Sequence, residues 1–236
     1  GSSELNVSVV VRNKDCRKSI DLIHQEFFHS VNRTINLFII GTGKVGSALI
    51  SQIISQSEFL LSSCQADLRI AGIANSRRMM ILKQGIRGNN WKELLDSGGR
   101  KMNLKQFTSE MFELNLPNSI FIDNTASESV SRVYEDILSK SISVVTCNKI
   151  AASSSYEYYS GLKMTAVRKR VHFRFESNVG AGLPIIQTIS NLVRTGDQIH
   201  KIEAVVSGSL NYIFNSFCNG MLFSDAVLDA MHEGFT

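Results

Sequence analysis

The sequence predicts an α/β protein with a doubly wound parallel sheet, and two observations carry that expectation. From residue 35 to residue 175, short apolar runs alternate with stretches of helical period. The first run leads into Gly41-Thr-Gly43-Lys-Val-Gly46, a glycine-rich turn placed where a strand hands over to a helix. Composition agrees. Of 236 residues 43% are hydrophobic and 19% charged, which supplies a sizeable core and excludes disorder as the main state.

The elements follow in order. Leu5, Val7, Val9 and Val11 alternate with neighbours in the manner of a strand, and Cys16, Ile20, Ile23 and Phe27 fall on one helical face. After a polar connector near residue 30, the spacing predicts a strand over 35–40, a helix over 44–61 and a strand over 68–74. Glycines over 83–118 predict loops between short helices, one of them starting after Asn103 and burying Leu104, Phe107 and Met111. A strand over 119–122, a helix over 128–138 capped by Ser127, a strand over 142–146, a helix over 156–168 and a strand over 172–175 complete the alternation. Beyond Asn178 the texture changes. A glycine-rich turn leads into a helix beginning at Pro184 and ending near Gly196, followed by a strand over 201–206 and a helix over 224–233 stopped by Gly234. That is too little for a domain, so it reads as the first part of one.

Several function classes are excluded as expectations. The longest apolar runs are far shorter than the roughly 18–20 residues of a membrane span. The net charge of +4 is mild, and its densest basic stretch, Val167 to Arg170, reads as a solvated helix end, so nucleic acid is not an expected partner. Cys16, Cys64, Cys147 and Cys218 are far apart with no C-x-x-C pair, which argues against a disulfide framework and for a reducing, cytoplasmic compartment. The N-terminus has neither the basic start nor the apolar core of a signal peptide.

Four strand ends carry chemistry. In G-x-G-x-x-G the glycines permit a tight turn, close approach of backbone to a pyrophosphate and close helix–strand packing, while the helix N-terminus offers unpaired N–H groups to the phosphates. The second strand ends not in an acid but in Asn75-Ser76-Arg77-Arg78, with Asp67 at its wrong end and Glu58 on the preceding helix. A hydroxyl and two guanidinium groups suit a 2′-phosphate, which favours NADP, with NAD the alternative; a solvated turn is the plainer reading. Asp123-Asn-Thr125-Ala-Ser127 and Thr146-Cys-Asn-Lys149 follow two further strand ends, the face where open α/β sheets bind ligands. Lys149 is a candidate proton shuttle or electrophile beside a carbonyl, set against an ordinary exposed lysine. Glu176 precedes irregular backbone at Val179-Gly-Ala181-Gly-Leu183, a set that can hold a hard cation or simply enter a helix.

These motifs, with Ser207-Gly208-Ser209-Leu-Asn-Tyr-Ile-Phe214, resemble homoserine dehydrogenase, in particular the dehydrogenase part of the bifunctional aspartokinase/homoserine dehydrogenases. The resemblance runs along essentially the whole chain, and Val179 to Pro184 is its most distinctive signal. It implies a Rossmann-type domain over 31–178, the end of an ACT-type aspartokinase regulatory domain over 1–30, and the first part of an α+β catalytic domain over 179–236. It implies NAD(P)H-dependent interconversion of aspartate 4-semialdehyde and homoserine in threonine and methionine biosynthesis. It implies cofactor contacts at Gly41, Thr42, Gly43, Val45 and Gly46, with Thr125, Ser127 and the catalytic-site Lys149 near the nicotinamide. Gly208 and Ser209 match substrate positions. Glu176, Val179, Ala181 and Leu183 match ligands of a sodium-like ion. An aspartokinase domain in the same natural chain, a homo-oligomer, and cytoplasm or plastid stroma are further implications.

Two departures bear on activity. Cys147 stands where the family has a small residue or proline. The family's substrate-binding acidic segment and principal lysine match positions beyond Thr236, so the 236-residue chain is expected to bind dinucleotide without turning over homoserine. Two other readings compete: a non-catalytic nucleotide-binding or regulatory module, and a semialdehyde dehydrogenase with Cys147 as nucleophile, for which His172 is the nearest candidate base.

Overall fold

The computed structural model describes residues 2–3, 6–27, 32–86 and 88–235. The chain divides into two compact units, Gly1–Arg174 and Phe175–Thr236.

In the first unit, β1 (Ser2–Ser3) and β2 (Asn6–Val7) form a short antiparallel pair. The strand expected through Val11 stops at Val7, with Val9 and Val10 exposed; Leu5 lies outside the described residues. α1 (Cys16–Phe27) forms as the period predicts, but Ile20, Ile23 and Phe27 are exposed rather than buried. Periodicity reports a face that can be covered, not the partner that covers it. Asn115 ties the start of this helix down: its Oδ1 accepts from Lys18 Nζ at 3.3 Å and its Nδ2 donates to Asp15 Oδ1 at 3.2 Å.

Seven strands make the main sheet: β3 (Arg33–Ile40), β4 (Ala66–Ala74), β5 (Arg78–Ile86), β6 (Arg100–Lys101), β7 (Ser119–Asp123), β8 (Ser143–Thr146) and β9 (Phe173–Arg174). Their order is β6-β5-β4-β3-β7-β8-β9. β4, β3, β7, β8 and β9 run parallel, while β5 and β6 add an antiparallel edge. That edge corrects the expectation of loops from residue 83. The run Met79 to Leu82 is apolar without alternation, and Gly85, at φ 77°, interrupts it. The β4–β5 hairpin is closed by Asn75, whose Oδ1 accepts from the N–H groups of Arg77 and Arg78 at 2.8 and 2.7 Å.

Helices cover both faces. The expected helix over 44–61 is broken at Gln56 into α2 (Lys44–Ser55) and α3 (Ser57–Cys64). α4 (Trp91–Gly98) and α5 (Leu104–Leu114) follow, the latter capped by Asn103 Oδ1 accepting from the N–H of Gln106. The expected helix over 128–138 is broken at Arg132–Val133 into α6 (Glu128–Ser131) and α7 (Tyr134–Ser139). Ser127 occupies the N-cap position, yet its hydroxyl bonds Ser129 and caps no N–H. α8 (Ile150–Ser153) and α9 (Tyr156–Lys169) complete the unit. Alternation along β3 sends Leu37 and Ile39 to a core with Ile50, Trp91 and Leu95, and Phe38 and Ile40 to a core with Phe107, Tyr134 and Leu162.

The second unit holds α10 (Ile185–Arg194), α11 (Gly208–Cys218) and α12 (Phe223–His232). Ile213, Ala226 and Ala230 are its buried centre. No strand forms over 201–206 among the described residues, and Ile202 and Val205 are exposed. Apolar alternation makes a strand only where a neighbouring edge accepts its hydrogen bonds. No described helix is long and apolar enough to cross a membrane.

Candidate active site

The carboxyl ends of four adjacent strands are stitched side by side. The Gly41 N–H donates to the Ala74 carbonyl at 2.9 Å, the Asn124 N–H to the Ile40 carbonyl at 2.8 Å, and the Cys147 N–H to the Asp123 carbonyl at 3.1 Å. This ridge is where an open α/β sheet presents its loops to a ligand.

The glycine turn sits at its centre. Gly41 takes φ 91°, and a Cβ on it would stand 2.7 Å from the Asn124 carbonyl carbon. Gly43 is different. Its φ is an ordinary −72°, and no described atom lies within 4 Å of where its Cβ would be. The space before it is open, and α2 begins there with no side chain capping its first N–H groups. A helix N-terminus left uncapped beside an open glycine is a receptor for phosphate oxygens.

A cleft of about 700 Å³ opens in front of this turn. Gly41, Thr42, Gly43, Asn75, Ser76, Arg77, Arg78, Asp96 and Thr125 line it. The structure therefore brings the first-strand turn, the second-strand end and the β7 loop together, as the sequence predicts. The two arginines are not equivalent. Arg78 donates from Nη1 to the Gly99 carbonyl at 2.9 Å, whereas Arg77 has no ion pair among the described residues. Asp96, on α4, was not legible as a site residue, because only the packing of α4 against β5 carries it to the cleft. Open backbone, free N–H groups and a solvent-facing guanidinium fit a phosphorylated dinucleotide. Val45 and Gly46 sit on the first turn of α2 and do not line the cleft, with Val45 exposed and Gly46 buried.

Ser127 and Lys149 do not line the cleft; the Ser127 N–H donates to Thr125 Oγ1 at 3.1 Å, and Lys149 follows Asn148 of a buried polar cluster. Asp123 is fully buried. Its Oδ1 accepts from the Thr125 N–H at 2.7 Å, and its Oδ2 accepts from Tyr134 Oη at 2.5 Å and Asn148 Nδ2 at 3.0 Å. Burial, with the Asp123 charge beside it, pushes the Tyr134 phenol far above its usual range. Asn148 Nδ2 also donates to the Ser127 carbonyl at 2.9 Å, and Asn148 Oδ1 accepts from the Ile150 N–H at 3.1 Å. Lys149, exposed, is the N-cap of α8. Cys147 is partly buried, and its thiol is pushed up by desolvation and by Asp123, against a smaller downward pull from Lys149. The net push is upward, which disfavours the thiolate a nucleophile needs.

In the second unit, the Glu176 carboxylate accepts from the Gln187 N–H at 3.0 and 3.2 Å, at the entry of α10. Gly180 at φ 70° and Ala181 at φ 51° shape the intervening turn, and the Leu183 carbonyl accepts from the Ile185 N–H at 2.9 Å. A carboxylate and irregular carbonyls share this turn, a hard-cation donor set by chemistry. Gly208 opens α11 with free space before it. The Ser209 hydroxyl donates to the Phe235 carbonyl within the same unit.

Comparison with known proteins bears on this site. A family model described as the NAD-binding domain of homoserine dehydrogenase matches residues 41–176, and a homoserine dehydrogenase model matches residues 184–236. Bifunctional aspartokinase/homoserine dehydrogenase 2, chloroplastic, from Arabidopsis thaliana is 38% identical over all of this chain, which spans 26% of that protein. Homoserine dehydrogenase from Schizosaccharomyces pombe is 35% identical over 88% of this chain and 57% of its own length. A hyperthermophilic archaeal homoserine dehydrogenase solved in complex with NADPH superposes with a TM-score of 0.69 at 27% identity, covering 86% of this chain and 62% of that one. With a matching family model over more than half its length, and the glycine turn at the start of that match, the chain belongs to the homoserine dehydrogenase family.

Proposed function

We propose that this chain carries the cofactor site of an NADP-preferring homoserine dehydrogenase, for which the reaction is reversible reduction of aspartate 4-semialdehyde to homoserine. The cleft joining the open Gly43 turn to Ser76, Arg77 and Arg78 carries this reading. Bound nicotinamide supplies or accepts the hydride. The protein's part is positioning and charge. The N–H groups at the start of α2 face the pyrophosphate, and Arg77 balances the 2′-phosphate. Thr125 and Ser127 orient the nicotinamide end. Lys149 holds a proton at Nζ for the oxygen that becomes the homoserine hydroxyl.

Further assignments belong to the same reading. Glu176 with the carbonyls of Val179, Ala181 and Leu183 holds a monovalent cation, and Gly208 and Ser209 approach the substrate. Residues 1–30, 31–178 and 179–236 divide as regulatory tail, dinucleotide domain and start of the catalytic domain; the family matches over 41–176 and 184–236 fall within the second and third of these spans. An aspartokinase domain in the same natural chain and a plastid setting are supported by the chloroplastic bifunctional relative, with cytoplasm the alternative.

Calorimetric titration of the chain with NADPH and NADH tests the cofactor assignment, with tighter NADPH binding expected and equal affinities overturning the preference. The full-length protein should oxidise NADPH when given aspartate 4-semialdehyde, and failure to do so would overturn the reaction.

A further inference from the structure

We propose that Asp123 and Asn148 are a positioning pair that sets the nicotinamide end of the cofactor cleft, leaving the adenosine end to the glycine turn and the Asn75–Arg78 hairpin. The inference rests on the dinucleotide reading and deepens it.

The pair adds a side-chain link between two loops whose first residues the backbone already ties together, through the Cys147 N–H on the Asp123 carbonyl. β7 and β8 are held in register by their ladder, with Asp123 opposite Thr146. That ladder ends where the loops begin. Beyond it, the Asp123 carboxylate holds the Thr125 N–H with one oxygen and the Asn148 amide with the other. Asn148 spends its second amide proton on the Ser127 carbonyl and its oxygen on the Ile150 N–H, so it places Ser127 and the first turn of α8 together. The pair thus reaches the Thr125 N–H and the Ser127 carbonyl, with Lys149 next to Asn148 in the chain, while Thr125 Oγ1 accepts from the Ser127 N–H at 3.1 Å and Thr146 Oγ1 from the Asn148 N–H at 2.8 Å. Asn148 is 1% exposed and Asp123 fully buried.

The arrangement is costly for a device that only staples strands. Among the described residues Asp123 has no ion pair, and a buried carboxylate without a cation is sustained only by its hydrogen bonds. An uncharged side chain would pack the same core at lower cost. What the carboxylate adds is directional. It accepts from three donors on three elements: the N–H of the β7 loop, the phenol of Tyr134 on α7 and the amide of Asn148 before α8. Asn148 thereby presents its oxygen to α8 rather than to Asp123.

The test separates the two ends of the cofactor. NADPH spans the whole cleft, whereas 2′,5′-ADP occupies only the adenosine end. The unaltered chain should bind both. In Asn148→Ala the NADPH dissociation constant should rise by about tenfold or more, while that of 2′,5′-ADP stays within about twofold, tenfold corresponding to about 1.4 kcal/mol. The enhancement of nicotinamide fluorescence on binding should fall as well, which a generally loosened fold would not produce selectively. Asp123→Asn keeps the shape of the core but replaces one acceptor oxygen by a donor, which opposes a donor in either amide orientation, the Thr125 N–H or the Asn148 amide, and should give the same split. It serves as the second variant should Asn148→Ala not fold. Equal losses for both ligands, or no loss for either, would overturn the pair's positioning role. Binding of neither ligand by the unaltered chain would overturn the dinucleotide reading itself.

Discussion

A side chain at Gly46 would have no room: its Cβ would stand 1.8 Å from the carbonyl oxygen of Gly41, while a Cβ at Gly43 would meet no described atom within 4 Å. Two glycines of one turn thus answer to different demands, the former to packing and the latter to what enters the cleft. Gly46→Ala should unfold or rearrange the turn and cost several kcal/mol, about the range of overpacking in a close contact. Gly43→Ala should leave the melting temperature nearly unchanged and weaken NADPH binding about tenfold or more, because the added methyl sits where phosphate oxygens approach. Thermal melts beside NADPH titrations decide this, and a Gly43→Ala protein that binds normally would remove the pyrophosphate from that position.

The two arginines of the hairpin should separate in the same way. Arg77 has no ion pair among the described residues, whereas Arg78 braces the Gly99 carbonyl. Arg77→Ala is expected to weaken NADPH and 2′,5′-ADP by about 1–3 kcal/mol, the size of a charge-assisted contact, and to leave NADH unaffected. Arg78→Ala should also lower the melting temperature. Calorimetry with the three ligands checks it.

Asp96 adds a carboxylate to the same cleft. A negative charge there opposes a 2′-phosphate and suits ribose hydroxyls. Asp96→Asn should therefore raise the ratio of NADPH to NADH affinity by a few-fold, within the roughly 0.2–1 kcal/mol of an exposed charge pair. The gain should shrink as salt rises, since screening weakens the repulsion it removes. A ratio unmoved at low salt would show that Asp96 does not sense the phosphate.

The thiol of Cys147 should react slowly. Desolvation and Asp123 hold its pKa above the ordinary thiol value, so less thiolate is present at mildly alkaline pH than for a free cysteine. With Cys16, Cys64 and Cys218 changed to Ser, iodoacetamide should alkylate Cys147 more slowly than glutathione. Asp123→Asn removes an upward push and should speed the reaction; Lys149→Ala removes a downward pull and should slow it. Alkylation of Cys147 at the glutathione rate in the protein with only those three changes would contradict the burial argument.

The sequence by itself determined the parts whose causes are local. The turn from β3 into α2 needs glycines within six residues, and its chemistry is written in that span. The cap at Asn103 acts on an N–H three residues on. The apolar runs of the parallel strands are continuous because both faces of the sheet are covered. Tertiary structure alone decided the rest. β5 formed from a run without alternation because β4 offered it an edge, and the segment over 201–206 found no edge among the described residues. The α1 face had the right period and stayed exposed. Asp96 became a site residue only through the packing of α4, and Asp123 reached Asn148 across 25 positions in the chain. Periodicity and capping act through the nearest few residues, whereas burial, edge pairing and a shared carboxylate depend on which distant segments the fold sets side by side.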